Sequence, residues 1–152
     1  MGQIAPYLKH VVLADDDLDH AYLFRKALRQ VDDTCVLTIV RDGAELMEFL
    51  SVQVPELLFL DLNMPCKHGL ECLQEIRKDP RLAQMVVVVY TSSTEMTNIQ
   101  RSYIHKADLY MVKPFNSEHL RNALESVLKM EWKAAPTPGH YFINNRFVPY
   151  TA

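Results

Sequence analysis

The chain has 152 residues, with 16 Lys+Arg against 19 Asp+Glu, a formal net charge of -3 with histidine neutral, and 49% hydrophobic against 23% charged residues. This length and mix suit one globular domain with a real core. The mildly acidic balance without a Lys/Arg cluster argues against nucleic acid as a partner. No apolar run approaches bilayer length, and the stretch from Met1 to Lys9 lacks the apolar core of a signal peptide, so no membrane partner is expected.

Short apolar runs alternate with segments of helical spacing. Val11 to Ala14 is the first run, followed by Ala21, Phe24, Leu28 and Val31 at i, i+3, i+7 and i+10. Val36 to Val40 comes next, then a short helical segment carrying Leu46, Met47 and Leu50, entered through Asp42-Gly43. Leu57 to Leu60 precedes a helix through Leu70, Leu73 and Ile76 that Asp79-Pro80 ends. Val86 to Tyr90 precedes Met96, Ile99 and Tyr103, and Leu109 to Val112 precedes Leu120, Leu124, Val127 and Leu128. Asp17 is placed to cap the first helix, Ser93 or Thr94 the fourth, and Asn116 or Ser117 the fifth. Runs this short and apolar at every position suit strands covered on both faces. Five β-α units in strict alternation predict an α/β fold, a doubly wound parallel sheet with helices on both sides. That unit spans 8–131. Over 132–152, Lys133 to Gly139 reads as a linker, and the arms around Asn144-Asn145 read as a short β-hairpin or a frayed tail.

In an open parallel sheet the carboxyl ends of the strands share one rim, where ligands bind. Beyond the first run lie Asp15, Asp16 and Asp17; beyond the third, Asp61 and Asn63; beyond the fourth, Thr91 and Ser93; beyond the fifth, Lys113 and Pro114. Carboxylates gathered this closely repel one another unless a hard divalent cation such as Mg2+ neutralises them. Lys113 and Thr91 add a positive charge and a hydroxyl suited to phosphoryl oxygens. Asp61 is the natural acceptor, since a carboxylate can take up phosphate as an acyl phosphate.

From His10 to Lys129 the chain resembles the receiver domain of bacterial two-component response regulators. The resemblance is carried by Val-Leu-Ala-Asp-Asp-Asp ending at Asp17, Phe-Leu-Asp-Leu-Asn-Met-Pro at 59–65 with Gly69, Tyr-Thr-Ser-Ser at 90–93 and Tyr-Met-Val-Lys-Pro-Phe at 110–115. It implies a flavodoxin-like (βα)5 sheet of order 2-1-3-4-5. It also implies Asp61 as phosphoacceptor and Mg2+ held by Asp16 directly, Asp15 through water, Asp61 and the Asn63 carbonyl. Thr91 and Lys113 would hold the phosphoryl oxygens, and Tyr110 would report phosphorylation through its rotamer. Asn63 and Ser93 would tune acyl-phosphate lifetime, and the Lys113-Pro114 peptide would be cis. The partners implied are a histidine kinase or phosphotransfer protein, an unknown downstream protein, and a second copy through the fourth helix, fifth strand and fifth helix. The chain would be a stand-alone cytoplasmic phosphoprotein switch rather than an enzyme, helping its own phosphorylation and dephosphorylation. Cys35, Cys66 and Cys72 lack framework spacing and fit reduced thiols in that compartment.

Two positions depart from the family pattern. Lys106 stands where the family often has glycine, and a side chain there strains a left-handed turn, so the expectation is a reshaped or mobile loop. Cys66-Lys67-His68 replaces a small-residue loop beside the acceptor. Two other functions compete: an adaptor of the same shape that is never phosphorylated, and a flavodoxin-like redox protein. The second is disfavoured because Asp15, Asp16 and Asp17 would repel the flavin phosphate.

Overall fold

The computed structural model describes residues 10–130, Trp132, and the backbone of 140–143 and 146–149. The N-terminal stretch, the linker at 133–139 and the Asn144-Asn145 turn lie outside the described residues. In chain order the elements are β1 (His10–Ala14), α1 (Leu18–Val31), β2 (Val36–Val40), α2 (Gly43–Val52), β3 (Leu57–Leu60) and α3 (Gly69–Lys78). A 3-10 turn (Pro80–Leu82) leads to β4 (Val86–Thr91), α4 (Met96–Ile104), β5 (Leu109–Val112), α5 (Ser117–Lys129), β6 (His140–Ile143) and β7 (Arg146–Pro149).

The sheet order is β2-β1-β3-β4-β5-β6-β7. The first five strands are parallel, as the β-α alternation predicts, and their order 2-1-3-4-5 is the one the family resemblance implies. β6 adds to the outer edge of β5 in parallel, with Met111 opposite Phe142, and β7 returns antiparallel to it. The sheet therefore continues past β5, and the outer edge of that strand is covered by the chain's own tail.

Alternation along the strands sorts the core into two layers. Val12, Leu58, Leu60, Val87 and Val89 pack under α2, α3 and α4 with Leu46, Leu73 and Ile99. Val11, Leu13, Phe59 and Val88 face the other way, under α1 and α5 with Phe24, Leu124 and Val127. Every residue of β3 and β4 is buried, which explains why these strands read as unbroken apolar runs. Burying each such Leu or Val stabilises the fold by roughly 1.5–3 kcal/mol.

The helix ends follow local chemistry. Asp17 caps α1 by accepting from the Asp19 and His20 N–H groups, Asp42 caps α2, and Asn116 caps α5 through His119 N. α4 differs from the expectation. It starts at Met96 behind Glu95, with no side-chain cap, because Ser93 Oγ instead accepts from Glu95 N at 3.2 Å and Asn98 Nδ2 at 2.9 Å. At its other end Lys106 does take the left-handed conformation, φ 68. Ala107 N donates to Ser102 O and Lys106 N to Tyr103 O, the paired bonds of a glycine-type helix stop. The loop is not reshaped; lysine tolerates the strain because these bonds satisfy the last carbonyls.

Candidate functional site

Asp15, Asp16, Asp61, Thr91 and Lys113 meet at the carboxyl rim of the central strands. Asp15 N donates to Val40 O at 3.0 Å, and Asp61 N donates to Ala14 O at 3.0 Å, so both carboxylates leave the sheet from ladder-anchored backbone. Asp15 is fully buried and its Oδ1 accepts from Asp17 N at 3.0 Å. That bond closes the turn into α1 and fixes the carboxylate. Asp61 is 6% exposed and its Oδ1 accepts from Asn63 N at 3.2 Å. The following loop folds back tightly: Gly69 N donates to Leu62 O at 2.9 Å, and a Cβ at Gly69 would sit 2.3 Å from Asp61 O. Any side chain there would push the acceptor's backbone aside. The substituted loop between them carries Cys66 at φ 67 and an ion pair from Lys67 to Glu75.

Lys113 crosses the rim. Its N–H donates to Thr91 O at 2.9 Å, and its ammonium lies 2.7 Å from Asp15 Oδ2 and 3.1 Å from Asp61 Oδ2. The Asp15 contact is an ion pair off the hydrogen-bonding direction, so Oδ2 stays buried without an aligned donor. The Lys113-Pro114 peptide, expected to be cis, is trans among the described residues. Trans is the lower-energy form even before proline, by about 0.5–1 kcal/mol. The lysine reaches both carboxylates from it, so no isomerisation is needed to aim the side chain inward.

The electrostatics follow from this packing. Burial pushes the Asp61 carboxyl above the usual carboxylate range, and the Lys113 charge offsets only part of that. For Lys113, burial pulls downward, but contact with Asp15 and the charge of Asp61 outweigh it, so the ammonium is held charged.

Asp16 is exposed at the mouth, and Asp15, Asp16 and Asp61 each offer a carboxylate oxygen, all within 4.8 Å of one another. A hard divalent cation fits this all-oxygen donor set, and the buried, unaligned Asp15 Oδ2 is the kind of atom such an ion satisfies. Thr91 is fully buried, its Oγ1 3.5 Å from Ser93 N. Tyr110 is fully buried as well and donates to Ser93 O at 2.8 Å, so its ring is turned inward. Burial pushes its hydroxyl up to about 12. Asn63 is exposed and Ser93 half-buried.

Two neighbours escape sequence reasoning. His20 Nδ1 lies 3.1 Å from Lys113 Nζ, and the same ammonium stands 5.4 Å from the centroid of the Tyr90 ring. Tyr90 in turn meets Phe24 and Phe59 edge to face. The signal for His20 is its place in the first turn of α1, directly after the Asp cluster; Tyr90 shows no signal beyond adjoining Thr91.

Known proteins resemble this chain in sequence and fold. The response regulator Rcp1 of Synechocystis sp. is 32% identical over 126 residues, covering 78% of this chain and 86% of Rcp1. "Probable methanogenesis regulatory protein FilR2" of Methanothrix harundinacea is 29% identical over 84% of this chain and 88% of its own length. The Mn(2+)-bound crystal structure of Rcp1 superposes with a TM-score of 0.73 at 30% identity, over 86% of this chain and 99% of that one. The phosphorylated cyanobacterial phytochrome response regulator RcpA gives 0.74 at 31% identity, over 85% and 96%. The family model of the response regulator receiver domain matches residues 11–125. Sheet order, rim chemistry and sequence agree: this chain belongs to the response regulator receiver domain family of two-component signalling.

Proposed function

We propose that the chain is a phosphoacceptor switch that receives a phosphoryl group on Asp61 in a Mg2+-dependent reaction and signals through altered protein contacts. The observation that carries this reading is the buried Lys113 ammonium held between Asp15 and Asp61, with Asp16 beside them. In the transfer, an Asp61 carboxylate oxygen forms a bond to phosphorus while the donor's bond to the same phosphorus breaks, and the donor leaves with that electron pair. Lys113 keeps its charge at neutral pH and neutralises the phosphoryl oxygens as charge builds on them. Asp15 holds that lysine on the acceptor side, and the Asn63 N–H fixes the Asp61 rotamer through Oδ1. Asp15, Asp16, Asp61 and the Asn63 carbonyl would hold the Mg2+, which when bound supplies the positive charge that lets carboxylates and phosphate approach. Thr91 follows the phosphoryl group through its hydroxyl, and Asn63 and Ser93 set how readily water reaches the acyl phosphate.

The output is a population shift rather than a new fold. The inward Tyr110, bonded to Ser93 O, supports the binding-competent arrangement of the α4-β5-α5 face. The role is that of a switch that assists its own phosphorylation and dephosphorylation, not of an enzyme turning over a separate substrate. The donor is a histidine kinase or phosphotransfer protein, and the likeness to RcpA supports a phytochrome-type photoreceptor as its class. Exposed Leu18 and Tyr22 on α1 and Phe115 after β5 lie in the segments that follow Asp15 and Lys113 and would receive that donor. A cytoplasmic location suits Cys66 and Cys72, which are not joined in a disulfide. Labelling with radioactive acetyl phosphate and Mg2+ tests the reading: wild type takes up label and Asp61→Asn does not. No uptake from any donor would leave the unphosphorylated adaptor instead.

A further inference from the structure

We propose that His20 is a positioning residue for Lys113, fixing the direction in which the ammonium presents its charge during phosphoryl transfer. The inference rests on the phosphoacceptor reading of Asp61. A lysine ammonium has three N–H donors and no acceptor. Two of its partners at this site accept in hydrogen-bond geometry: Asp61 Oδ2 at 3.1 Å and His20 Nδ1 at 3.1 Å. Asp15 Oδ2, at 2.7 Å, attracts the charge without aligning an N–H. The Tyr90 ring lies 5.4 Å away and adds attraction of broad direction.

The His20 geometry assigns its tautomer. Nδ1 must present a lone pair to the ammonium, so the ring proton sits on Nε2. Asp17 Oδ2 stands 3.6 Å from the same Nδ1, beyond hydrogen-bond distance. The backbone of His20 is fixed by its own N–H donating to Asp17 Oδ1 at 3.0 Å, within the first turn of α1. The imidazole is thus carried on a capped helix end over the lysine. The His20 side chain is 42% exposed while that of Lys113 is 9% exposed, so the ring lies on the solvent side of the ammonium.

Once Asp61 carries a phosphoryl group, its carboxylate charge is gone and its oxygens belong to an acyl phosphate. Lys113 then turns to the phosphoryl oxygens. Of its two aligned acceptors, His20 is the one the reaction leaves untouched. Asp15 alone sets the distance of the charge and lets the ammonium pivot; His20 removes that freedom. The same placement serves formation and loss of the acyl phosphate, because both pass through charge build-up on the same phosphoryl oxygens. Without His20 both rates fall.

The test uses the full chain with acetyl phosphate and Mg2+, sampled by rapid quench, in wild type, His20→Ala, His20→Gln and Asp61→Asn. His20→Ala is expected to slow both labelling and loss of label by about fivefold, the loss of one charge-assisted hydrogen bond at a half-exposed position. His20→Gln, whose side-chain carbonyl can accept from Lys113, is expected to recover at least half of each rate. The ammonium resonance of Lys113 in nitrogen-15 spectra is expected to shift in His20→Ala and to return in His20→Gln; a merely structural role would not give that pattern. Wild type that takes up no label would remove the phosphoacceptor reading and this inference with it. Normal labelling of wild type, with His20→Ala within twofold of it or an unmoved Lys113 resonance, would overturn the inference alone.

Discussion

Removing the cation from the rim should unfold the protein more easily, and divalent metal should undo part of the damage. In Lys113→Met the stem is replaced at similar volume while the ammonium is lost, leaving Asp15, fully buried, and Asp61, 6% exposed, facing each other. At the separations of 2.7 and 3.1 Å the two attractions amount to about 6 and about 5 kcal/mol at an effective dielectric constant of roughly 20. Against this stands the desolvation of Lys113, itself worth several kcal/mol, which the variant no longer suffers. Breaking a buried pair from one side usually costs about 3–5 kcal/mol, and we expect a loss of about 3 kcal/mol, or about 9 °C in melting temperature for a chain of this size. Urea denaturation in EDTA measures the loss directly. Repeating it with saturating Mg2+ should recover at least half, because the ion binds the folded carboxylates and not the unfolded chain. A loss below about 1 kcal/mol would mean the carboxylates are not repelling each other across a dry site. Equal stabilisation of wild type and variant by Mg2+ would mean the metal does not act where the lysine did.

Three further outcomes follow from other parts of the structure. Lys106→Gly should raise stability by about 0.5–1 kcal/mol, since the left-handed φ of 68 strains a side chain by about 1–2 kcal/mol and glycine returns part of that as unfolded-chain entropy; an unchanged melting temperature would show the turn is not strained. Arg77→Leu should cost about 2 kcal/mol, because the guanidinium holds Lys106 O, Met85 O and Asp108 Oδ2 together, discounted for the 37% exposure of the Asp108 side chain. Burial already holds the Asp108 carboxyl above its ordinary value, and losing Arg77 raises it further. The folded state then binds the extra proton first, so the deficit relative to wild type should shrink as pH falls from 7 through the raised folded value, and a deficit growing on acidification would contradict the assignment. Deleting 140–152 should uncover the outer edge of β5 and increase self-association in sedimentation velocity, as exposed strand edges do; identical profiles for both chains would show that the hairpin does not guard that edge.

How much of this could be read from the sequence depended on which physics each feature uses. Strands buried on both faces must be apolar throughout, so β3 and β4 stand out as Leu57 to Leu60 and Val86 to Tyr90, and helices between them force the parallel order. Asp15, Asp61, Thr91 and Lys113 were legible because strand ends of a parallel sheet share an edge whatever the side-chain details. Features set by one rotation or one competing bond were not legible. The α4 cap moved because Ser93 Oγ is taken by Glu95 N and Asn98. The Lys113-Pro114 peptide is trans where the resemblance implied cis. His20 reached Lys113 through a helix turn that periodicity cannot orient. The position of β6 along β5 depends on a long-range pairing that no local signal carries.

The central claim is that the rim prepares Asp61, and no other side chain, to accept phosphorus. The most direct measurement is borohydride trapping after incubation with acetyl phosphate and Mg2+, followed by peptide mapping of the reduced site by mass spectrometry. One modified residue is expected, at position 61, absent when EDTA replaces Mg2+. Modification mapping to another residue, or to Asp61 at the same yield in EDTA, would contradict it.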